Sequence, residues 1–328
     1  MARAAGVSHQ TVSRVINGKP HVKAETRALV LATIEELRFT PNRAAQALAG
    51  GPVRSVTVLT ADTAAYGYAS ALRGIEEAAR TVGFTVGISV LEPDAALGRQ
   101  EVIERLSGGR AAIVIAFEAA GARALAALPE DYPVVGVVER PAAGHPSDGR
   151  PQVWIDDREA ASRATRHLLG LGHQNVHYLS IPSSTQKLSQ RTQGWQDALT
   201  AAGRPVPQLR PAGWTPRSGY LAARDLVADR DVTAILAGND DLALGVLRAA
   251  REAGRDVPGN LSVIGFDDAP QSAYLAPALT SVRLDFEGLG RAGFGLLHNL
   301  VDPHTAPAPA TWAEPELILR ESSGPAPR

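Results

Sequence analysis

The sequence predicts an α/β protein in which a small all-α headpiece precedes a core of two doubly wound parallel-sheet subdomains. Residues 1–50 carry apolar positions at helical spacing, whereas short Val- and Ile-rich runs alternate with longer amphipathic stretches beyond Gly51-Pro52. Such alternation of strands and helices is typical of parallel sheets with helices on both faces. The length agrees with this division, because 328 residues exceed one typical core.

Composition indicates a soluble protein. Hydrophobic residues make up 45% and charged residues 20% of the chain, which is ordinary for globular proteins. No apolar stretch approaches the roughly 18 residues of a membrane-spanning helix, and the first residues lack the layout of a secretory signal. The absence of cysteine excludes disulfides and thiolate metal sites and fits a reducing compartment. We therefore expect a cytoplasmic protein without membrane contact, cofactor or bound metal.

The charge is unevenly distributed along the chain. Residues 1–50 contain seven Lys or Arg against three Glu, a balance of +4, so the remainder holds 26 basic and 31 acidic residues, a balance of −5. A basic head on an acidic body indicates a module that binds a polyanion. A basic solvated tail is an equally common explanation of such an imbalance, so charge alone leaves both open.

The segment from Gly6 to Pro20 predicts a short helix with one buried face. The Ser8 hydroxyl can cap it by accepting an unpaired backbone N–H, and Asn17-Gly18 followed by Pro20 ends it near residue 17. The helical spacing groups the apolar side chains as Val12, Val15 and Ile16. The exposed side chains are then His9, Gln10, Thr11, Ser13 and Arg14.

A second helix is predicted over residues 24–37, with Val30, Ile34 and Leu37 on one face. A short helix that exposes Gln and Arg near its start suits the major groove of DNA, since Arg can pair with guanine and Gln with adenine. An ordinary helical bundle with a polar face explains the same pattern equally well. The pattern alone therefore does not decide between the two.

Two strings carry a resemblance to a known family: AGVSHQTVSRVINGK and VKAETRALVLATIEELRFTPNRAAQALAG. Over residues 2–50 the chain resembles the headpiece of the LacI/GalR (lactose-repressor/galactose-repressor) family, a helix-turn-helix DNA reader. The resemblance implies base contacts from His9, Gln10 and Arg14. It implies phosphate contacts from Ser8, Thr11, Ser13, Asn17, His21, Thr26 and Asn42. His9 falls at a position that varies within that family, so we expect it to tune the choice of operator.

Residues 42–50 form an Ala-rich stretch too short to be a stable helix by itself. Its plain interpretation is a helical spacer. The resemblance implies instead a hinge helix, in which Leu48 enters the minor groove while Ala45 and Ala49 allow close approach. We accordingly divide the chain into a headpiece at 1–41, a hinge and linker at 42–52, and a core at 54–321.

The resemblance also implies a truncated headpiece, because family members open about eight residues earlier with most of the first helix. Met1 stands where an apolar residue such as valine is usual. The chain has 30 Arg and three Lys, as expected of a GC-rich genome, so we hypothesise that an internal GTG codon was taken as the start. If the truncation is real instead, the helix-turn-helix loses half its packing, and we expect the protein to bind operator poorly or not at all.

The core begins with runs that predict buried parallel strands: SVTVL, TVGISVL, AAIVIA and VVGVV, followed by VHYL, AILA and SVIGF. Helices are predicted over 69–82, 97–106, 158–171, 190–202, 218–226 and 240–253. Ligands of such sheets bind beyond the carboxyl ends of the strands. The family resemblance continues through RHLLGLGH, RTQGW, GWTPRSGY, AGNDDLALGVLRA and SVIGFDD. It implies a periplasmic-binding-protein-like core, with one subdomain at 54–153 and 286–311 and the other at 154–285 and 312–321.

Candidate effector contacts lie near the predicted strand ends. Each has a plain alternative: a surface arginine, a helix cap, a turn carboxylate or a core aromatic. The resemblance favours ligand contact for Tyr66, Glu139, Arg191, Trp214, Asn239, Asp267 and Phe286. We expect Asn239 to face the ligand and Asp240 to cap the following helix. Glu139 stands where the family usually has Asp, and Leu284 where the lactose repressor has an amide, so both are expected to reshape the sugar site.

The resemblance implies a repressor that binds a pseudo-palindromic operator as a homodimer and responds to a sugar effector. We expect a galactoside or another glycoside to weaken operator binding. The alternative is a solute-binding protein without a DNA role, owing to the truncated headpiece. An enzyme is not expected, since the chain has no G-x-S-x-G, Walker A or HExxH motif.

Overall fold

A computed structural model describes residues 1–16, 22–37, 55–92, 98–106, 109, 111–139, 149–182, 189–302 and 313–328. The chain divides into two compact units, Met1–Val53 and Arg54–Arg328, which we call the head and the core. The predictions for the hinge residues and for some phosphate contacts lie outside the described residues; these positions are Asn17, His21, Asn42, Ala45, Leu48 and Ala49.

The described part of the head, residues 1–16 and 22–37, forms helices α1 (His9–Ile16) and α2 (Ala24–Glu36). Their buried side chains Val12, Val15 and Val30 form a small cluster with Ala2 and Ala5 from the turns that precede α1. The predicted helix bounds are therefore within one residue of those observed. Leu37 differs from the prediction, because it follows the end of α2 and remains 49% exposed rather than joining the buried face.

The first sheet of the core is entirely parallel, with strand order β2-β1-β3-β4-β5. Its strands are β1 (Ser55–Thr60), β2 (Thr85–Val90), β3 (Ala112–Ala116), β4 (Val134–Val138) and β5 (Gln152–Val153). The helices around it are α3 (Tyr66–Thr81), α4 (Arg99–Arg105), α5 (Ala119–Ala127) and α10 (Phe286–Val301). Helices cover both faces, as expected for a doubly wound sheet.

The second sheet has strand order β11-β10-β9-β8-β6-β7 and is parallel except for β11. Its strands are β6 (His177–Ser180), β7 (Arg210–Pro211), β8 (Ala234–Ala237), β9 (Ser262–Asp267), β10 (Thr280–Arg283) and β11 (Glu316–Ile318). Its helices are α6 (Asp157–Gly170), α7 (Gln190–Ala201), α8 (Pro216–Ala228) and α9 (Asp240–Glu252). A short 3₁₀ helix (Pro270–Tyr274) follows β9.

Within the described residues, the chain passes between the two sheets three times: after β5, after β10 and before β11. We call residues 55–153 with 286–302 the first lobe, and residues 157–283 with 313–328 the second lobe. Helix α10 returns to pack along α3 of the first lobe, and β11 returns to pair with β10 of the second. The carboxyl ends of β4 and β9 therefore belong to different lobes of one unit.

The prediction that all these strands are buried is wrong for β2. This strand lies at the edge of its sheet, and its side chains Ile88 and Val90 are 53% and 49% exposed. Its apolar run resembles that of the central strands, and the run alone does not show whether neighbours cover both faces. None of the helices in the described ranges is both long and apolar enough to span a bilayer.

Glycines bring the covering helices into direct backbone contact. A Cβ added to Gly74 of α3 would lie 2.0 Å from the Glu287 carbonyl oxygen of α10, and one added to Gly290 would lie 2.2 Å from that of Ala71. A side chain at either position would force the two helices apart. Helices α3 and α10 therefore depend on glycine at both positions for their spacing.

We expect Gly74→Ala to lower the free energy of unfolding by about 1–3 kcal/mol, because the added methyl group overlaps backbone that cannot retreat easily. Gly170→Ala is the matched control, since a Cβ at the end of α6 meets nothing within 4 Å. The control should be neutral or slightly stabilising. Urea unfolding of both variants measures the difference. Equal stability of the two would contradict this account of the packing.

Candidate effector cleft and nucleic-acid interface

A cleft lies between the two lobes of the core, at the carboxyl ends of strands from both sheets. It encloses about 730 Å³ of non-atom space, part of it open to solvent. The seven predicted effector contacts all line it: Tyr66, Glu139, Arg191, Trp214, Asn239, Asp267 and Phe286. The structure thus brings together residues that lie up to 220 positions apart in the sequence.

Aromatic rings form one side of the cleft. The Phe286 ring lies 5.8 Å from Phe117 and 6.3 Å from Tyr66, and Tyr68 lies 5.1 Å from Phe117, in each case between ring centroids. Trp214 extends this series from the other lobe, 6.2 Å from Tyr68 in an edge-to-face arrangement. The Tyr68 hydroxyl is buried in this wall and has no hydrogen-bond partner within the described ranges. Such a wall offers flat apolar faces to a ring-shaped ligand.

Arg191 holds the opposite side together. Its Nε donates to Asp157 Oδ2 at 3.2 Å, and its Nη1 donates to the Gly238 carbonyl oxygen. The guanidinium also lies 4.5 Å above the Phe266 ring and 3.6 Å from Asp267 Oδ1. Burial lowers the pKa of Arg191, but the carboxylates Asp157 and Asp267 raise it by more, so it remains charged. A guanidinium that is 5% exposed needs this pairing, because a lone buried charge would be strongly destabilising.

Asp267 ends β9 with an unusual backbone and a poorly satisfied side chain. Its φ is 102°, a conformation that residues other than glycine rarely adopt. Its Oδ1 is buried without a hydrogen bond among the described residues, and the 3.6 Å to Arg191 is too long for one. Burial holds the pKa of Asp267 well above the usual range of a carboxyl, although Arg191 lowers it. Strain and an unpaired polar atom in a cleft are typical of a site that receives its partner with the ligand.

The prediction for Asn239 and Asp240 is wrong for Asp240. Asn239, not Asp240, caps α9, because Asn239 Oδ1 accepts from the Leu242 N–H at 2.7 Å while its Nδ2 donates to the Trp214 carbonyl oxygen at 3.1 Å. Asp240 accepts instead from the hydroxyls of Ser272 and Ser281 and from the Ala269 N–H. The first residue inside a helix points its side chain away from the cap position, and here it reaches β10 and the 3₁₀ helix. Asn239 still lines the cleft.

Leu284 does not line the cleft, contrary to the expectation that it reshapes the sugar site. It is 4% exposed and packs in the main apolar cluster of the core, immediately before α10. Glu139 does line the cleft, just beyond the end of β4. Of these two departures from the family pattern, only Glu139 therefore lies at the site.

Several residues in or beside the cleft were not predicted from the sequence. Asp157 pairs with Arg191, Asp241 and Phe117 line the wall, and Glu118 accepts a hydrogen bond from Trp214. Each stands one or two positions from a strand or helix end, which was the available signal. Asp156 and Asp157 are adjacent carboxylates, and nothing in their spacing indicates that Asp156 caps α6 while Asp157 reaches Arg191.

The exposed face of α1 in the head carries the predicted base contacts. His9, Gln10 and Arg14 are exposed, and the buried Val12 and Val15 lie on the other side of the helix. Ser8 caps α1, as predicted, because its Oγ accepts from the Thr11 N–H at 3.1 Å. Of the remaining predicted phosphate contacts in the described part of the head, Thr11 and Thr26 are half-buried, and Ser8 and Ser13 are exposed. This face can reach the edges of bases and the adjoining phosphates.

Known proteins are similar to this chain in both sequence and fold. Residues 1–42 match the bacterial regulatory proteins of the lacI family, and residues 165–323 match the periplasmic binding protein-like domain. The lactose operon repressor of Escherichia coli (strain K12) is 31% identical over 311 residues, which cover 92% of this chain and 83% of that repressor.

Solved structures agree with this match. A crystal structure of the Lac repressor dimer bound to operator and the anti-inducer ONPF has a TM-score of 0.83 at 29% identity, with coverage of 98% of this chain and 97% of that one. A complex of the transcriptional regulator CelR with cellobiose has a TM-score of 0.70 at 28% identity, covering 98% of each chain.

A helical head with an exposed polar face, joined to a two-lobed α/β core with a ligand cleft, defines a DNA-binding transcription regulator that takes a small effector. The chain belongs to the LacI family of bacterial regulatory proteins. It is thus a regulator and not an enzyme, and its core has the periplasmic-binding-protein-like fold that the sequence predicted.

The pH dependence of protein stability tests the surroundings of the buried Asp240. Burial raises the pKa of Asp240 to about 6, although its three hydrogen bonds lower it. Because its pKa is raised in the folded state, protonated Asp240 stabilises the fold. This contribution is fully present below the unfolded-state pKa near 3.8 and is lost as the pH rises through about 6. Asp240→Asn should therefore gain stability relative to the wild type between pH 4 and pH 7, by up to roughly 3 kcal/mol.

Urea unfolding of both proteins at several pH values measures this difference. Asp231→Asn, at an exposed carboxylate, is the matched control and should show no such trend. A stability difference between Asp240→Asn and the wild type that does not vary with pH would show that Asp240 titrates normally.

Proposed function

We propose that this protein is a cytoplasmic transcriptional repressor that binds a pseudo-palindromic operator as a homodimer and changes its operator affinity when a neutral sugar binds in the cleft. The cleft carries the sugar part of the proposal, because it places an aromatic wall opposite a group of carboxylates, the Arg191 guanidinium and the Asn239 amide. Relatives add support, since one solved neighbour holds cellobiose and another is a dimer on operator with an anti-inducer.

The chemistry of the described lining suits hydroxyl groups better than charged ones. Asp267 and Asp241 offer carboxylate oxygens as acceptors, and the Asn239 amide and Arg191 offer donors. Arg191 is already paired with Asp157 and Asp267, so it does not present a free positive charge to an anion. Sugar hydroxyls both donate and accept, and the apolar face of a sugar ring can stack on Trp214 or Phe286.

For DNA, we propose that α1 reads the major groove, with His9, Gln10 and Arg14 at base edges. Ser8, Thr11, Ser13 and Thr26 hold phosphates in this proposal, together with Asn17, His21 and Asn42. Residues 42–52 then act as the hinge, with Leu48, Ala45 and Ala49 at the minor groove. The division into head, hinge and a core of two subdomains is part of the same proposal.

Exposed apolar side chains of the core support pairing of two copies. Ile88 and Val90 lie on the edge strand β2, and Leu221 and Leu244 lie on α8 and α9, all more than a third exposed. Apolar side chains grouped at an edge strand and on two neighbouring helices are typical of surfaces covered by another chain. A two-fold dimer would present two copies of α1 to two half-sites.

The direct test combines operator and effector. Operator DNA selected from a random library by the wild-type protein is bound in a gel shift, and neutral mono- and disaccharides, including galactosides and cellobiose, are added. At least one sugar should change the operator affinity and also raise the melting temperature of the protein. No change in either measurement across the panel would refute the proposal.

We expect Asp267→Asn to weaken binding of such a sugar by about tenfold or more, because the amide replaces one of the two buried acceptor oxygens with an NH2 donor. Calorimetric titration measures the dissociation constant. Asp231→Asn is again the matched control, since it removes an exposed carboxylate away from the cleft. Equal affinity of Asp267→Asn and wild type would exclude Asp267 from the effector site.

We expect Arg14→Ala to weaken binding of the selected operator by roughly 10- to 100-fold, while binding to random DNA falls much less. Loss of a base contact affects sequence-specific binding most, whereas loss of a phosphate contact affects both. Fluorescence anisotropy at fixed salt measures both affinities. Arg99→Ala, which removes an exposed arginine at the start of α4 in the core, should leave both unchanged. An equal loss on both DNAs would assign Arg14 to phosphates.

A further inference from the structure

A hydrogen bond joins the two lobes beside the aromatic wall of the cleft. Trp214 Nε1, on the loop before α8 in the second lobe, donates to Glu118 Oε2 of the first lobe at 3.3 Å. The same indole meets the Tyr68 ring of the first lobe edge to face. Glu118 itself lies outside the cleft lining and was not among the residues that the sequence indicated.

The position of Glu118 makes this use of its carboxylate unusual. Glu118 is the N-cap residue of α5, with φ −144° and ψ 176°, a position where a side chain commonly accepts from the N–H groups of the first turn. Within the described residues its carboxylate makes no such capping bond. It reaches instead toward the other lobe and the Trp214 indole.

Trp214 is fixed from both sides. Its backbone carbonyl accepts from Asn239 Nδ2 at 3.1 Å, which ties its loop to the start of α9 in the second lobe. Its ring nitrogen is tied to Glu118 in the first lobe. Burial raises the pKa of Glu118, and the hydrogen bond from Trp214 lowers it. The orientation of the indole across the cleft therefore depends on Glu118.

We propose that Glu118 is a positioning residue of the effector site: its carboxylate holds the Trp214 indole across the cleft and thereby stabilises the arrangement in which the lobes are close together. The bond requires both lobes within hydrogen-bond distance, so it is present when they are close and absent when they part. A contact made in one arrangement only shifts the population toward that arrangement. This inference rests on the proposed function, because its consequence is read as sugar affinity.

The mechanism predicts the same fold-change for every sugar. Since Glu118 does not line the cleft, it makes no contact of its own to a sugar, and its loss acts through the lobe equilibrium, which is common to every sugar. We expect Glu118→Ala to weaken all sugars that bind by one common factor, roughly five- to tenfold. Glu118→Gln keeps an acceptor oxygen and should stay within about twofold of the wild type.

The experiment uses the full-length protein and two sugars of different size taken from those that bind the wild type. Calorimetric titration gives the dissociation constants for wild type, Glu118→Ala, Glu118→Gln and Glu130→Ala. Glu130→Ala is the matched control, because Glu130 is exposed just beyond the other end of α5. Tryptophan emission of the ligand-free proteins is compared with that of the same changes in a Trp214→Phe background.

The expected result is a common loss of affinity in Glu118→Ala, rescue in Glu118→Gln, and an emission change in Glu118→Ala that disappears in the Trp214→Phe background. Wild-type affinity in Glu118→Ala, or a loss confined to one sugar, would overturn the positioning role while leaving the proposed function intact. If Glu118→Ala does not fold, Glu118→Leu, which keeps a side chain of similar size without an acceptor oxygen, replaces it and should show the same common loss of affinity and the same Trp214 emission change; wild-type values in Glu118→Leu would overturn the role. Failure of every sugar to bind the wild type would overturn the proposed function and this role with it.

Discussion

The buried guanidinium of Arg191 is the interaction on which the effector cleft depends. It extends from α7 to Asp157 at the start of α6, to the backbone at the end of β8, and to Asp267 at the end of β9. Four elements of the second lobe thus meet at one charged group. A guanidinium at this depth is stable only with opposite charges beside it, so the acidic character of the cleft follows from Arg191. Removing Arg191 would leave two carboxylates buried and uncompensated.

One arginine cannot satisfy every oxygen of two carboxylates. Asp157 Oδ1 and Asp267 Oδ1 lack hydrogen-bond partners among the described residues, and the backbone of Asp267 lies in the left-handed region. The fold carries this destabilisation at the place where a ligand can reduce it, because hydroxyl groups can donate to carboxylate oxygens that line the cleft. Asp240, the residue after Asn239, shows the contrast. Both of its carboxylate oxygens accept hydrogen bonds, from Ser272, Ser281 and the Ala269 N–H, so its side chain stabilises the fold.

The fold could be predicted largely from local pattern, and the site only in part. Strands such as β1, β3 and β9 can be predicted because they are short runs rich in β-branched residues, and Ser8 caps α1 as its position indicates. Arg191, Asn239 and Asp267 stand where polar residues follow strands or begin helices, which is where such folds bind ligands. The partners could not be predicted, because Glu118 and Trp214 are 96 positions apart and Asp157 and Arg191 are 34 apart. The exposed state of β2 depends likewise on neighbours and not on its own residues.

The two lobes contribute different kinds of side chain to the cleft, and this difference matters for regulation. Tyr66, Tyr68, Phe117 and Phe286 come from the first lobe, whereas Arg191, Asn239, Asp267 and Trp214 come from the second. A ligand that touches both groups binds the close arrangement of the lobes better than the open one, and only such a difference can shift the equilibrium. A sugar that contacted only the carboxylates of the second lobe would bind without changing the lobes. The aromatic wall is therefore as necessary for a response as the polar side is for recognition. The coupling is reciprocal: if a sugar changes the affinity for operator by some factor, operator changes the affinity for that sugar by the same factor.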